Sequence, residues 1–169
     1  MSEVDVWRGR PDPGLLRGVL ARYLERPLEE IELAIGEHGK PRLADRAERL
    51  EFNLSHSGGV ALVAVCRGRA VGVDVERIDP SRDLLGLAER ALDLEAVAAV
   101  RAAPPARRAA VFYDRWTRHE ARLKCLGVGL GGPADGEPVA VAPLDIGPGY
   151  AAAVAVLGDE LPAVCLIPA

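Results

Sequence analysis

Two pairs of charged residues in this chain have a spacing that could place them around one ion. Glu120 and Lys124 are four residues apart in a run of helix-forming residues, so they share one face of a predicted helix. Asp74 and Glu76 are two residues apart in an alternating stretch, so they share one face of a predicted strand. Carboxylates bind hard divalent cations such as Mg²⁺, and a lysine ammonium binds phosphate. The residue types therefore allow a cation site beside a phosphate-binding amine.

Each pair also has a simpler explanation, which the pattern alone leaves open. A Glu–Lys pair on a solvated helix contributes about 0.3–0.5 kcal/mol and needs no ligand. Two carboxylates on one strand face can protect a sheet edge from pairing with another chain.

A second group of candidate residues lies upstream. We interpret residues 51–59 as a strand running into a small-residue loop, in which Ser55-His56-Ser57 and the glycines after it offer donors to an anion. Lys40 precedes Pro41, which favours extended backbone and an outward-projecting amine. A turn without function and an ordinary surface lysine remain the alternatives. A Ser-His-Asp hydrolase is disfavoured, because the sequence has no GxSxG nucleophile elbow.

The elements that would position these residues follow from periodicity. Residues 106–126 predict a long helix that Gly127 ends. Residues 60–66 and 70–76 predict a β-hairpin around the turn 67–69, with the carboxylates on the face opposite its valines. Elsewhere the pattern predicts helices at 14–26, 83–92 and 93–102, and strands at 31–35, 149–157 and 162–167, whereas residues 1–10 show no clear element.

The composition narrows the class of protein. The chain has 169 residues and a net charge of −4, and an acidic balance disfavours a nucleic-acid partner. The sequence contains neither a signal-like apolar core at its start nor an apolar run long enough to span a membrane. Cys66, Cys125 and Cys165 stand in apolar contexts without a CxxC motif, which predicts buried free thiols in a reducing compartment. We therefore expect a cytoplasmic protein with no membrane partner.

A weak internal repeat predicts the architecture. Residues 60–75 and 151–166 align without a gap, and a helical stretch precedes each of them. This predicts an α+β fold of two similar halves related by a pseudo-twofold axis, each with a long helix packed on a small antiparallel sheet. We place the halves at residues 1–77 and 78–169, with the site at their junction. Because the repeat stands in for a second subunit, we expect a monomer.

Several segments, taken in chain order, resemble a known enzyme family over nearly the whole chain. The sequence resembles the 4'-phosphopantetheinyl transferases, specifically the two-half type that activates surfactin synthetase. The matching segments are Gly39-Lys40-Pro41, FNLSHS at 52–57, GVDVE at 72–76, Trp116-Thr117 with Glu120-Ala121 and Lys124, and GVGL at 127–130.

The resemblance implies a reaction and a set of roles. Phosphopantetheine would pass from coenzyme A to a serine of an apo acyl or peptidyl carrier protein, as in holo-[acyl-carrier-protein] synthases, and 3',5'-ADP would leave. By motif position, Asp74, Glu76 and Glu120 would bind Mg²⁺, with Mn²⁺ as the alternative ion. Glu120, or water on the metal, would take the serine proton, and Lys124 would neutralise phosphate charge. Arg115, Arg118 and Arg122 are candidates for docking the carrier protein.

Further residues would bind coenzyme A by the same resemblance. Lys40, Ser55 and His56 match the family's phosphate contacts, and Arg8 falls where the family has another coenzyme A-binding arginine.

The sequence departs from the family pattern at two places. His119 stands where the family has a lysine, and it could donate to phosphate when protonated or act as a base when neutral. The segment before Arg8 is shorter than in the family, which implies weaker binding of coenzyme A. Both departures favour the main alternative, a non-catalytic relative that binds coenzyme A or a carrier protein. A metal-dependent phosphohydrolase would explain the carboxylates but not the Ser-His segment and the Gly-Lys-Pro turn together.

Overall fold

Four helices and nine strands form in the part of the chain that the computed structural model describes, residues 3–36, 41–45, 49–128 and 137–169. The helices are α1 (Leu15–Leu24), α2 (Leu84–Ala91), α3 (Leu94–Ala102) and α4 (Pro105–Leu126). The strands are β1 (Val4–Gly9), β2 (Leu33–Ile35), β3 (Pro41–Leu43), β4 (Leu50–Ser57), β5 (Val60–Arg67), β6 (Val71–Arg77), β7 (Val139–Pro143), β8 (Tyr150–Leu157) and β9 (Val164–Pro168).

Local sequence signals explain where the helices begin and end. Asp83 and Asp93 cap α2 and α3, because each side chain accepts a hydrogen bond from the backbone N–H three residues on. Pro105 occupies the first position of α4, where no backbone donor is needed, and Gly127 ends the helix in the left-handed conformation. The predicted long helix is thereby confirmed, as are the three shorter ones within one or two residues.

Two larger sheets carry most of the strands. The first has the order β4-β5-β1-β9, with β1 parallel to β9 and the other neighbours antiparallel. The second is antiparallel and has the order β6-β8-β7. A small two-stranded ribbon joins β2 to β3.

The two sheets pack face to face, and a helix covers the outer face of each. Valine and leucine side chains from β1 and β5 meet the valines of β6 and β8 in one buried cluster. The other face of β4 and β5 packs against α1, with Phe52, Val63 and Val65 against Leu16, Val19 and Leu20. On the second sheet Ala153 and Ala155 of β8 pack against Ala121 and Cys125 of α4. The result is a four-layer α+β arrangement whose carboxylate-bearing strand, β6, lies directly under α4.

The predicted hairpins are wrong, although the strands themselves form. β5 belongs to the first sheet and β6 to the second, and β8 and β9 are divided in the same way. The reason is that both edges of β5 are occupied, by β4 and by β1, so no edge remains for β6. The valines of β6 instead pack against the face of β5 across the core. Edge-to-edge pairing is thus replaced by packing between layers.

Other expectations need correction as well. The first sheet is mixed, because β1 runs parallel to β9, and α1 has 10 residues against 22 in α4, so only one helix is long. Residues 1–10, which showed no clear element, contain β1. Cys165 is exposed, whereas Cys66 and Cys125 are buried, and all three are free thiols.

The division at residue 77 stays a prediction. Hydrogen-bonded strand pairs cross it twice, from β6 to β8 and from β1 to β9. None of the helices in the described ranges is both long and apolar enough to cross a membrane.

Candidate functional site

A glycine allows α4 to lie unusually close to β6. Gly72 faces the helix, and a Cβ atom added there would lie 2.1 Å from the carbonyl oxygen of Ala121 and 2.4 Å from the nitrogen of Cys125. Only a residue without a side chain permits this approach. Because strand side chains alternate, Asp74 and Glu76 point to the same side as Gly72 and meet the helix face that carries Glu120 and Lys124. The predicted strand face is confirmed.

Lys124 and Asp74 form the central contact of the site. The Lys124 Nζ lies 2.6 Å from Asp74 Oδ1, and it also donates to the Ser55 hydroxyl at 3.1 Å. The Ser55 hydroxyl donates to the same Asp74 oxygen at 2.9 Å. Asp74 is almost completely buried, with a side-chain exposure of 5%, whereas that of Lys124 is 30%. The pair is therefore largely buried rather than placed on a solvated face.

Within the described part of the chain, two carboxylate oxygens at this site have no hydrogen-bond partner. They are Asp74 Oδ2 and Glu120 Oε1, both buried. Buried polar atoms in native proteins are almost always paired, so such an atom calls for an explanation. A cation is one explanation, since ionised carboxylate oxygens can only accept.

The pKa shifts of the three carboxylates, Asp74, Glu76 and Glu120, also favour a bound cation. Burial raises the pKa of Asp74, Glu76 and Glu120 above their usual values. After burial, the negative charge of Asp74 is the largest contribution that raises the Glu120 pKa, and Lys124 opposes it. The three groups thus repel one another within one desolvated site. A positive ion among them would favour the ionised forms.

The carboxylates do not form a closed metal site as they stand. Among the residues that the structure describes, no three side chains of the His, Cys, Asp and Glu types come close enough together to hold a metal ion. The expected set of Asp74, Glu76 and Glu120 therefore lines one site without completing a coordination shell. Mg²⁺ often uses only one or two carboxylates and takes its remaining ligands from water and substrate phosphates. Two available oxygens from two elements fit that mode of binding.

The Ser-His segment differs from the prediction in its conformation. Residues 55–57 belong to β4 rather than to a loop, and the turn is Gly58-Gly59, where φ is positive at both residues. Ser55 points toward the second sheet and contacts Asp74, whereas His56 is exposed and lies on the opposite face of the strand. The two side chains therefore do not form one anion site by themselves.

Arg8 lies on the same rung of the first sheet as Ser55. Arg8 is opposite Leu62, and Leu62 is opposite Ser55, so all three share one face. Two strand spacings separate Arg8 from Ser55, about 10 Å. Arg8 is exposed and borders a shallow cavity of about 510 Å³.

His119 occupies a different groove from the carboxylates. It lines a groove of about 210 Å³ between α4 and the start of α3, with Asp93, Arg115 and Arg122. Burial lowers the pKa of His119 below its usual value, so the ring is neutral at pH 7. It cannot supply the positive charge of the family lysine under those conditions. Whether it takes part in catalysis stays a prediction.

Lys40 lies outside the described residues, but its neighbour Pro41 lines a cavity of about 860 Å³. The cavity is formed by β3, β4 and the residues after α4, and it is bordered by Arg42, Arg49 and Gly127. Its volume suits a drug-sized or cofactor-sized ligand. Gly127 follows Lys124 by about one helical turn, so this end of the cavity lies near Lys124.

Sequence reasoning assigned no role to Asn53, and it placed Ser57 at a possible anion site without foreseeing its contact with Glu76. The Ser57 hydroxyl donates to Glu76 Oε2 at 2.9 Å, and Asn53 accepts from the backbone of Val73 at 2.9 Å. The signal was present, because the polar residues at 53, 55 and 57 are each two residues apart and so share one strand face.

Three curated proteins with similar sequences are each named as a phosphopantetheinyl transferase. The chain is 39% identical over 119 residues to the 4'-phosphopantetheinyl transferase HetI of Nostoc sp., covering 69% of this chain and 50% of that protein. It is 37% identical over 105 residues to the 4'-phosphopantetheinyl transferase AcpT of Salmonella typhi, covering 62% and 54%. It is 32% identical over 144 residues to a phosphopantetheinyl transferase of Thraustochytrium sp., covering 76% and 49%.

The chain spans about half the length of these curated relatives. Residues 70–163, more than half of the chain, match the sequence profile of one family. That segment contains β6 and α4, and with them the carboxylates and the lysine of the site. The chain belongs to the 4'-phosphopantetheinyl transferase superfamily.

Proposed function

We propose that this protein transfers 4'-phosphopantetheine from coenzyme A to a serine hydroxyl of an acyl or peptidyl carrier protein. The observation that carries the proposal is the site under α4. There, two buried carboxylate oxygens, on Asp74 and Glu120, have no hydrogen-bond partner among the described residues and lie beside the Lys124 ammonium. A diphosphate with a divalent cation supplies the charges that such a site needs. Family membership favours this reaction over a phosphohydrolase.

Mg²⁺ is the ion that we expect there, with Mn²⁺ as the alternative. Both take oxygen ligands, and the unpartnered oxygens belong to Asp74 and Glu120, with Glu76 beside them. When bound, the ion would neutralise charge on the diphosphate.

The residues of the chain then have separate tasks. Glu120 accepts the proton of the carrier serine, and a cation bound beside it would keep its carboxylate ionised for that role. Lys124, held by Asp74 and Ser55, places a positive charge beside the phosphate oxygens as they develop charge. The serine oxygen forms a bond to the phosphorus that carries the pantetheine. The bond from that phosphorus to the bridging oxygen breaks, and 3',5'-ADP leaves with the electron pair.

Coenzyme A would lie in the cavity of about 860 Å³ that Gly127 borders, about one helical turn after Lys124. The cavity is bordered by Pro41 of the Gly-Lys-Pro turn and by Arg42 and Arg49, which suit an anionic nucleotide. Arg8, His56 and Lys40 remain proposed coenzyme A contacts.

A carrier protein would dock on the α3–α4 side. Arg115, Arg118 and Arg122 line the groove next to the site, and Leu94, at the start of α3, is 88% exposed. Basic and apolar groups together suit an acidic helical partner.

We also propose the two-half, surfactin-synthetase-activating type for this chain, as a cytoplasmic monomer. The repeated segments support it, since β5 and β6 are divided between the two sheets as β8 and β9 are. In each case a turn carries the chain from one layer to the other.

A mass measurement tests the transfer. The protein is incubated with coenzyme A, Mg²⁺ and several apo carrier proteins, and the carriers are weighed. We expect one carrier to gain the mass of one phosphopantetheine, and Glu120→Ala to abolish the gain. Glu89→Ala is the matched control, because Glu89 is an exposed carboxylate paired only with Arg101 among the described contacts. Coenzyme A binding without transfer to any carrier would instead favour a non-catalytic relative.

A further inference from the structure

Side chains of β4 close the free edge of β6. One edge of β6 pairs with β8, which leaves the N–H groups of Val73, Val75 and Arg77 facing β4. They donate to Asn53 Oδ1 at 2.9 Å, Ser55 Oγ at 3.3 Å and Ser57 Oγ at 3.0 Å, respectively. An unpaired backbone donor at a buried edge is costly, so these three side chains replace a missing strand.

The two serines make a further contact that Asn53 does not make in the described structure. Ser55 Oγ lies 2.9 Å from Asp74 Oδ1, and Ser57 Oγ lies 2.9 Å from Glu76 Oε2. The direction of these hydrogen bonds is fixed by elimination. The backbone N–H must donate to the serine oxygen, so the single hydroxyl proton is free to point at the carboxylate.

Through the serine hydroxyls, backbone N–H groups of β6 fix the positions of the carboxylates on the same strand. The N–H of Val75 sets the position of the Ser55 hydroxyl, and that hydroxyl orients Asp74, one residue before Val75. Ser57, Arg77 and Glu76 repeat the same relation two residues further along. In each case one carboxylate oxygen is held, and at Asp74 the other oxygen is the buried Oδ2 without a partner.

We propose that Ser55 and Ser57 are positioning residues that orient Asp74 and Glu76 toward a divalent cation. The proposal rests on the proposed function, because it needs a cation in the site under α4. Groups that orient metal ligands commonly change metal affinity by about 10–100-fold when removed.

Binding of Mn²⁺ alone tests the proposal without any enzymatic turnover. Mn²⁺ is titrated into the protein in the absence of coenzyme A and carrier, and the free ion is followed by electron paramagnetic resonance. We expect Ser55→Ala and Ser57→Ala each to weaken Mn²⁺ binding by about 10-fold or more. Ser57→Thr keeps the hydroxyl and should restore affinity to within about threefold of the native chain.

Asn53→Ala is the matched control. It removes the same kind of edge contact, at Val73, but no contact to a carboxylate. Its melting temperature should fall like that of Ser57→Ala, while its Mn²⁺ affinity should stay within about threefold of the native value. If Asn53→Ala and Ser57→Ala weaken Mn²⁺ binding equally, the serines only stabilise the edge and the proposal is overturned.

Failure of this proposal is distinguishable from failure of the proposed function. If Mn²⁺ binding depends on the two serine hydroxyls but the native chain transfers no phosphopantetheine, the transferase function is refuted and the positioning role stands. A native chain that transfers phosphopantetheine with unchanged Mn²⁺ affinity in Ser57→Ala refutes the positioning role alone. A native chain that binds no Mn²⁺ overturns the positioning role as well.

Discussion

At the scale of single residues, the site depends on one ion pair that is buried at its acidic end. Asp74 loses almost all of its contact with water, and this desolvation outweighs the opposing effect of Lys124 on its pKa. The pair is therefore not a surface salt bridge of the kind that contributes little. Lys124 also contacts Ser55, so the lysine connects α4 with strands of both sheets.

Replacing Lys124 should expose the cost of burying Asp74 alone. We expect Lys124→Met to lower the free energy of unfolding by about 1–3 kcal/mol, because a buried carboxylate then loses its charged partner. Adding Asp74→Asn should recover part of the loss, since the remaining group is neutral. Chemical denaturation at pH 7 measures both changes.

The control for this experiment is the exposed pair of Arg101 and Glu89, with side-chain exposures of 65% and 51%. Arg101→Met should change the free energy of unfolding by no more than about 0.5 kcal/mol. Equal effects of Lys124→Met and Arg101→Met would contradict the view that the Asp74 pair is energetically distinct.

Spacing identified some site residues but not others. Glu120 and Lys124 share a helix face and Asp74 and Glu76 share a strand face, and both relations follow from local geometry alone. The contact between Ser57 and Glu76 could not be predicted in the same way, because it depends on β4 lying beside the edge of β6. His119 is adjacent to Glu120 in sequence, yet it lines another groove, because successive residues on a helix point about 100° apart.

At the scale of secondary-structure elements, the distance between α4 and β6 decides whether the site exists. Ala121 and Cys125 lie over Gly72, and Glu120 and Lys124 stand next to them on the helix. A residue with a side chain at position 72 would lift the helix and carry Glu120 and Lys124 away from Asp74.

Gly72→Ala should therefore damage both stability and activity. The added Cβ would meet backbone atoms of α4, at 2.1 Å and 2.4 Å, and a helix backbone cannot move aside locally. We expect a loss of about 2–4 kcal/mol in the free energy of unfolding, and slower transfer from the fraction that folds. Thermal melting and the carrier mass assay measure the two effects.

Gly18→Ala in α1 provides a control of opposite sign. Its added Cβ would lie 3.9 Å from Leu28 Cδ1, an ordinary contact, and alanine favours a helix over glycine by about 0.5–1 kcal/mol. We expect this variant to be slightly more stable and to show the native transfer rate. A Gly72→Ala protein as stable as Gly18→Ala would refute the close approach of α4.

The elements were largely predictable, but their partners were not. The alternation at 71–76 predicts a strand with valines on one face, and the structure confirms it. The same alternation contains no information on whether β6 pairs with β5 or packs against it. The short turn between them favoured a hairpin, but both edges of β5 are already paired, with β1 and with β4, and this prevents one. β1 occupies one of those edges, so overlooking β1 and predicting the hairpin were one error.

At the scale of the whole molecule, the fold buries three carboxylates between its layers, where their negative charges repel one another. Asp74, Glu76 and Glu120 come from the second sheet and its helix, and the pKa of each is raised by burial. Lys124 opposes this effect at all three groups, and at Glu76 Arg82 opposes it more strongly than Lys124 does. The net charge of −4 does not reveal that three carboxylates lie close together, because their proximity depends on how the layers of the fold pack.

The stored repulsion predicts an unusual dependence of stability on pH when divalent ions are removed. A carboxyl whose pKa is higher in the folded chain than in the unfolded chain binds protons more tightly when folded. Its contribution to stability is therefore complete below the unfolded pKa of about 4, and it is lost as the pH rises through the folded pKa. In chelator, these three groups should lower the free energy of unfolding as the pH rises from about 4 toward 8.

Glu120→Gln isolates the contribution of one of these groups. In chelator the variant should match the native chain near pH 4 and become the more stable of the two as the pH rises, because its amide does not ionise. In saturating Mg²⁺ the order should reverse at pH 7.5, since the native chain gains binding free energy from the ion and the variant loses one of its ligands. Denaturation curves at several pH values, with chelator and with Mg²⁺, measure both effects.

Glu89→Gln, at an exposed carboxylate, should follow the native chain in both buffers. A Glu120→Gln protein that behaves like Glu89→Gln would show that Glu120 neither repels its neighbours nor binds the ion.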